Sequence, residues 1–216
     1  MAITAADVAK LRAQTGAGML DCKKALEETN GNFEAAVDAL RQRGAAKAAK
    51  RADKVAAEGV VTSYIHGAGR IGVLVEVNCE TDFVARTDSF RALATDLAMH
   101  IAAAAPRYLS RDEVSAEELD REKNVYRETL KAEGKPAEMI EKIVEGKMAK
   151  FYSEICLLDQ SFIKDEEKTI TKLLAEKTGE IGEKITVRRF VRYELGEGIT
   201  KVQTDFAAEV GAELSK

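Results

Sequence analysis

The chain of 216 residues contains no Trp, two Pro, two His and three Cys. Each scarcity excludes something. His66 and His100 are too few for a histidine-rich metal site, and they sit in a strand-like and an apolar helix-like context. His100 reads as a packed or capping histidine rather than a base. Cys22, Cys79 and Cys156 are odd in number and isolated, with no second thiol at metal or redox spacing. Three buried or half-buried thiols in a reducing compartment is the simplest account. No run approaches the ~20 apolar residues of a membrane span. The start, MAITAADVAK, has neither the apolar core of a signal peptide nor an Arg/Ser-rich transit pattern. A cytoplasmic protein without a membrane partner is expected.

The formal net charge of −4 comes from 33 basic and 37 acidic residues spread along the chain. A nucleic-acid footprint shows as a clustered Lys/Arg face. The one local basic run, KAAKRADK at 47–54, reads first as the solvated face of an Ala/Lys helix and second as an RNA contact. No phosphate-binding loop, Ser-His-Asp set, paired thiols or carboxylate metal cluster stands out. Neither catalysis nor a cofactor is expected.

What is present is mostly helix former, with Pro only at 106 and 136. The first forty residues read as three short helices. Thr4 and Asp7 form a capping-box pattern before Val8 and Leu11. TGAG (15–18) breaks the helix; Met19, Leu20, Cys22, Ala25 and Leu26 mark the next; NGN (30–32) turns; and Phe33, Ala36, Val37 and Leu40 carry a third that stops at Gly44. Residues 45–56 form a helical, solvated Ala/Lys/Arg linker that separates this module from the body. GVVTSYIH and RIGVLVEV flank GAG (67–69) as a hairpin. KITVRRFVRYEL (184–195) alternates as a third strand, with Ile185, Val187, Val191, Tyr193 and Leu195 on one face and Thr186, Arg188, Arg192 and Glu194 on the other. Residues 88–105 and 167–179 are amphipathic helices. Residues 113–134 and 136–152 are charged helices whose apolar positions, Val125 and Met139 among them, are too sparse for a globular core, so a protruding antiparallel hairpin is expected.

The fold class is therefore α+β. The expected organisation is a helical domain at 1–44, a linker at 45–56, a core at 57–196 that includes the hairpin 112–152, and a tail module at 197–216. One motif stands out. NCETDFVAR (78–86) puts Asp82 beside a bare Phe83 where a strand meets a helix. The pair serves either to start that helix or to enter another protein. TDF recurs at 204–206.

TGAGMLDCKKAL (15–26), NCETDFVAR (78–86), AMHIAAAAPRY (98–108) and IGEKITVRRF (181–190) together resemble the bacterial elongation factor Ts family, over about residues 3–210. The resemblance implies a guanine-nucleotide exchange factor that binds elongation factor Tu in its GDP-bound and nucleotide-free states. It also implies a three-helix N-terminal module like the ubiquitin-associated fold. One core subdomain fits in this length, which resembles the family's short form and implies a homodimer binding two partner molecules in a 2:2 complex. Asp82 and Phe83, with Thr81 and Val84, match the segment presented to the partner's G domain. There the ring enters near the Mg²⁺ and phosphate site and GDP leaves. Arg12, Met19, Leu20 and Lys23 match an N-terminal contact surface, although Leu20 is as readily a core residue. His66, Gly67, Ile181 and Gly182 match further contacts. Phe162 and Ile163 match a partner-facing segment, but Ser161 and Lys164 depart from the family's Pro and apolar residue. Asp205 and Phe206 match an auxiliary anchor. Two readings of another class remain: an adaptor that uses the N-terminal bundle, and an RNA-binding protein.

Overall fold

The computed structural model describes residues 3–200, so Asp205, Phe206 and most of the tail module lie outside the described residues. Helix α1 (Ala5–Thr15) starts at Thr4, whose side chain accepts from the Asp7 amide while the Asp7 carboxylate accepts from the Thr4 amide. It ends at Gly16, where φ is 68°, a value a Cβ disfavours. Helix α2 (Met19–Glu28) follows, and the turn at Asn30 and Gly31, both at positive φ, leads to α3 (Phe33–Arg51). Val8, Leu11, Cys22, Ala25, Leu26, Ala36 and Leu40 pack together as the bundle's core.

Helix α3 does not stop at Gly44; it runs on for two turns to Arg51. From the sequence alone Gly44 reads as a terminator. Its role is packing. Helix α8 (Ile170–Ile181) crosses α3 so closely that a Cβ placed on Gly179 would stand 2.6 Å from the Cα of Gly44. The stretch after residue 44 is helical to Arg51, and that helix docks on the body where Gly44 meets α8.

The body is a three-stranded antiparallel sheet in the order β1 (Glu58–His66), β2 (Ile71–Cys79), β5 (Thr186–Glu194). Val73, Val75, Val77 and Cys79 on β2 face helix α5 (Asp88–Ala104), which contributes Phe90, Leu93, Leu97 and Ile101. Ile170, Leu173 and Leu174 of α8 close the same core. A short ladder of β3 (Ser161–Phe162) and β4 (Asp165–Thr169), which sequence reasoning missed, precedes α8.

The alternation expected for β5 fails half-way. The register slips between Glu76 and Val77, which pair with Arg189 and Val187, so Arg188 bulges out of the ladder. A bulge adds one residue and reverses every face beyond it. Ile185 and Val187 are buried as expected, but beyond Arg188 the inward residues are Phe190 and Arg192. Arg192 donates to the Ala102 carbonyl, and Val191 and Tyr193 turn to the other side. Among the described residues, nothing covers that side of the sheet. Val61, Ile65, Leu74 and Tyr193 are exposed, with Leu74 paired to Val191 and Gly72 to Tyr193.

Helices α6 (Ala116–Ala132) and α7 (Ala137–Ile155) pack on each other. Their apolar positions are not too sparse. Leu130, Ile140, Val144, Met148, Phe151 and Ile155 form a buried cluster with Val114 and Cys156, whereas Val125 and Met139 stay exposed.

Candidate functional site

Strand β2 ends at Cys79, and three residues later a one-turn helix, α4 (Asp82–Ala85), begins. Thr81 is its N-cap: extended at φ −128°, its hydroxyl accepts from the Val84 amide. Asp82 sits in the first turn, where the helix dipole favours a carboxylate, and pairs with Arg86 at 2.9 Å. Ala85 is buried and Val84 packs on the core, so one side of the turn is anchored. Phe83 points the other way and is 80% exposed. Leaving a Phe in water forgoes about 2–3 kcal/mol of burial.

Four residues do not hold a helix by themselves. The restraint comes from 100 residues away. The Glu183 carboxylate accepts the Glu80 amide (3.2 Å), the Thr81 amide (3.0 Å) and the Thr81 hydroxyl (2.7 Å). Glu80 answers in kind, accepting the Lys184 amide and the Arg51 guanidinium, each at 2.7 Å. The Lys184 ammonium donates to the Ala52 carbonyl just past α3. Within the turn, the Cys79 thiol donates to the Thr81 carbonyl at 3.2 Å. Burial first, and then the Glu183 charge, push that thiol up to about 11, so it stays a donor.

The family model described as Elongation factor TS matches residues 4–197. The chain belongs to the elongation factor Ts family. It is 57% identical over 214 residues to the elongation factor Ts of Desulfitobacterium hafniense, covering 99% of both chains. It is 59% identical over 212 residues to that of Geobacter metallireducens, covering 98% of both, and 58% identical over 214 residues to that of Heliobacterium modesticaldum, covering 99% of this chain and 100% of the relative.

The residues that the elongation factor Ts resemblance singled out fall into separate places. Ile181 and Gly182, the last residue and C-cap of α8, directly precede Glu183 and so lie beside the Thr81–Phe83 turn. Arg12, Met19, Leu20 and Lys23 lie on the bundle surface around the α1–α2 junction. Leu20 is 75% exposed, so core packing is not its role. His66 ends β1 and Gly67 opens the β1–β2 turn, and Tyr64 stacks on His66. Strand β2 is nine residues long, so that turn lies roughly 26 Å from Thr81 along the sheet. Ile163 is exposed, and its amide donates to Nδ1 of His100 at 3.3 Å. His100 is buried, with Nε2 3.1 Å from Oε1 of Gln160, and its pKa is lowered by burial, with Gln160 opposing. It is a packed histidine. A cleft of about 450 Å³ between the bundle and α8, lined by Thr15, Val37, Leu40 and Ala175, includes no residue of the Asp82–Phe83 turn.

Sequence reasoning missed Glu80, Glu183, Arg51 and Lys184. No local pattern pairs them, because the partners come from the end of α3, the end of β2 and the α8–β5 connection. Among the described residues, no group of three or more His, Cys, Asp or Glu is placed to hold a metal, and no helix is long and apolar enough to cross a membrane.

Proposed function

We propose that the chain is the guanine-nucleotide exchange factor of elongation factor Tu, with Phe83 as the group that enters the partner. The observation that carries this reading is the exposure of Phe83 on a backbone turn fixed from both sides. A core phenylalanine would be covered, and a ring needed only to start a helix would have no reason to be a phenylalanine. On insertion between helices near the partner's Mg²⁺ and phosphate site, the ring gains the burial it lacks here. Asp82, Thr81 and Val84 travel with it as part of the same turn. The displaced site releases GDP, and no bond is made or broken on this chain, so the activity is not enzymatic in the usual sense.

The chemistry is reciprocal linkage: a factor that binds the nucleotide-free partner better than the GDP form weakens GDP binding by the same ratio. A coupling of about 4 kcal/mol corresponds to roughly a thousandfold. Arg12, Met19, Leu20 and Lys23 supply a separate docking surface, an apolar pair with a basic rim on the module at 1–44. Ile181 and Gly182 add contacts beside the probe; His66, Gly67 and Ile163 add contacts elsewhere on the core.

Assembly follows from the open sheet. Val61, Ile65, Leu74 and Tyr193 expose an apolar face that a single layer leaves uncovered, and a second copy of the same face supplies an isologous cover. The resulting homodimer binds two partner molecules. Sedimentation at micromolar concentration should give a dimer, and Leu74→Arg a monomer. A monomeric parent chain overturns the assembly.

The deciding measurement is release of a fluorescent GDP analogue from elongation factor Tu, with this chain and with Phe83→Ala. Because Phe83 is exposed, the substitution is expected to change folding stability by less than about 0.5 kcal/mol while abolishing most of the acceleration. An acceleration unchanged by the substitution refutes the role of Phe83. No acceleration by the parent chain returns it to the adaptor or RNA-binding readings.

A further inference from the structure

We infer that Glu183 is the positioning residue that aims Phe83, and that Glu80 references that aim to the helix carrying the N-terminal module. The inference rests on the reading of Phe83 as the exchange probe. Phe83 is exposed, so the direction of its Cα–Cβ bond is set by the backbone of its turn. Val84 and Ala85 anchor the far side of that turn in the core, and two restraints from outside the turn hold its start. One oxygen of Glu183 takes both successive amides, of Glu80 and Thr81, and the other takes the Thr81 hydroxyl. The same hydroxyl caps α4 through the Val84 amide. Fixing Thr81 therefore fixes the first turn of α4 and the residue that follows it. Hydrogen bonds to an ionised carboxylate are shorter and about twice as strong as neutral ones, which suits a turn too short to hold itself.

The second restraint runs in the opposite direction. Glu80 binds the amide of Lys184, the residue after Glu183, and also the guanidinium of Arg51 at the end of α3. Lys184 in turn reaches the Ala52 carbonyl. Each carboxylate thus binds the backbone of the segment that bears the other, and the pair is tied to the helix that begins in the bundle at Phe33. The N-terminal docking surface and the probe share one rigid reference. A partner gripped through Met19 and Leu20 then meets Phe83 at a fixed distance and angle.

This arrangement predicts a specific pattern. Glu183→Ala releases both amides and the hydroxyl, so the rate constant at saturating partner falls between about tenfold and a hundredfold, the effect of a misplaced reacting group. The half-saturating concentration stays within about twofold, because docking through the bundle is untouched. Glu183→Gln keeps an acceptor for the two amides, replaces the oxygen that accepts from the Thr81 hydroxyl with an NH2 that can donate to it, and recovers most of the rate. Glu183→Asp keeps the charge, shortens the reach by one methylene and does not recover it. Should the alanine variant fail to fold, the Asp and Gln variants carry the test.

A readout independent of the partner comes from the absence of Trp. Phe83→Trp gives the free protein a unique fluorophore, and adding Glu183→Ala or Glu183→Asp is expected to lower its anisotropy, whereas Glu183→Gln leaves it. Unchanged anisotropy, or Asp and Ala variants that exchange as fast as the parent while Phe83→Ala is slow, overturns the inference and leaves the Phe83 reading standing. If Phe83→Ala itself exchanges like the parent, the underlying reading fails instead.

Discussion

The crossing of α3 over α8 offers a test in which the same chemical change has opposite consequences at two facing residues. A Cβ on Gly179 would stand 2.6 Å from the Cα, 2.8 Å from the carbonyl oxygen and 2.9 Å from the carbonyl carbon of Gly44. All three are backbone atoms that no rotamer change can move. A Cβ on Gly44 meets only the Cα of Gly179, at 3.9 Å, an ordinary contact. Both glycines lie inside helices, so each Gly→Ala gains about the same helix propensity, roughly 1 kcal/mol. That gain cancels in the difference between the two variants, which isolates the packing cost. Ordinary carbon–carbon contact lies near 3.5–4.0 Å, so Gly179→Ala must part the helices by about 1 Å. Forced overpacking of this kind costs about 1–3 kcal/mol. Gly179→Ala is therefore expected to be less stable than Gly44→Ala by about 1–3 kcal/mol. In a chain of this size each kcal/mol moves Tm by about 2–4 °C. Urea unfolding followed by circular dichroism, with Tm alongside, measures the difference directly. Two variants of equal stability would refute the close crossing, and with it the account of why α3 runs through Gly44.

Gly59→Ala is expected to cost about 3 kcal/mol in the same assay, because φ there is +146° and a Cβ would lie 2.1 Å from the Val77 carbonyl oxygen; a neutral change refutes the local register of β1 on β2. His100 is held below its ordinary pKa by burial, so the unfolded chain binds its proton first. Its contribution is fully present above about pH 6.5, the ordinary histidine value, and is lost as pH falls from there through the lower folded-state pKa. The difference in stability between the parent and His100→Gln is therefore expected to shrink between pH 7.5 and 5, and a constant difference refutes the buried neutral imidazole. Cys22, Cys79 and Cys156 are all buried and free, and burial pushes the Cys79 and Cys156 thiols up to about 11. A thiol reagent at pH 8 is expected to label none of the three in the native protein and all three in denaturant; rapid native labelling of any one contradicts its burial.

Most of the local structure was written in short-range chemistry. The Thr4–Asp7 capping box, the breaks at Gly16 and at Asn30–Gly31, and the β1–β2 hairpin around GAG formed where the sequence placed them. Each depends on residues within four or five positions of one another. The errors share one physical origin. Gly44 was read as a helix stop because a glycine's local cost is visible in a sequence, whereas a helix from residues 170–181 packing on it is not. The β5 faces were assigned by strict alternation because nothing in RRFVRYEL announces a bulge; the bulge exists only relative to Glu76 on the neighbouring strand. The α6–α7 cluster was discounted because its members are sparse on each helix and become a core only when two helices share them.

The site divides in the same way. That Asp82 and Phe83 open a helix after a strand was legible from composition and order, as was the family to which the chain belongs. That Phe83 is exposed, that Leu20 is outside the bundle's core, and that Glu183 and Glu80 clasp the turn from opposite sides were decided by tertiary structure alone. Burial and long-range hydrogen bonds are properties of pairs of segments about a hundred residues apart, and no window of sequence contains both members of such a pair. The sequence by itself determined where Phe83 stands in the chain; the fold determined that it points outward and what holds its turn there.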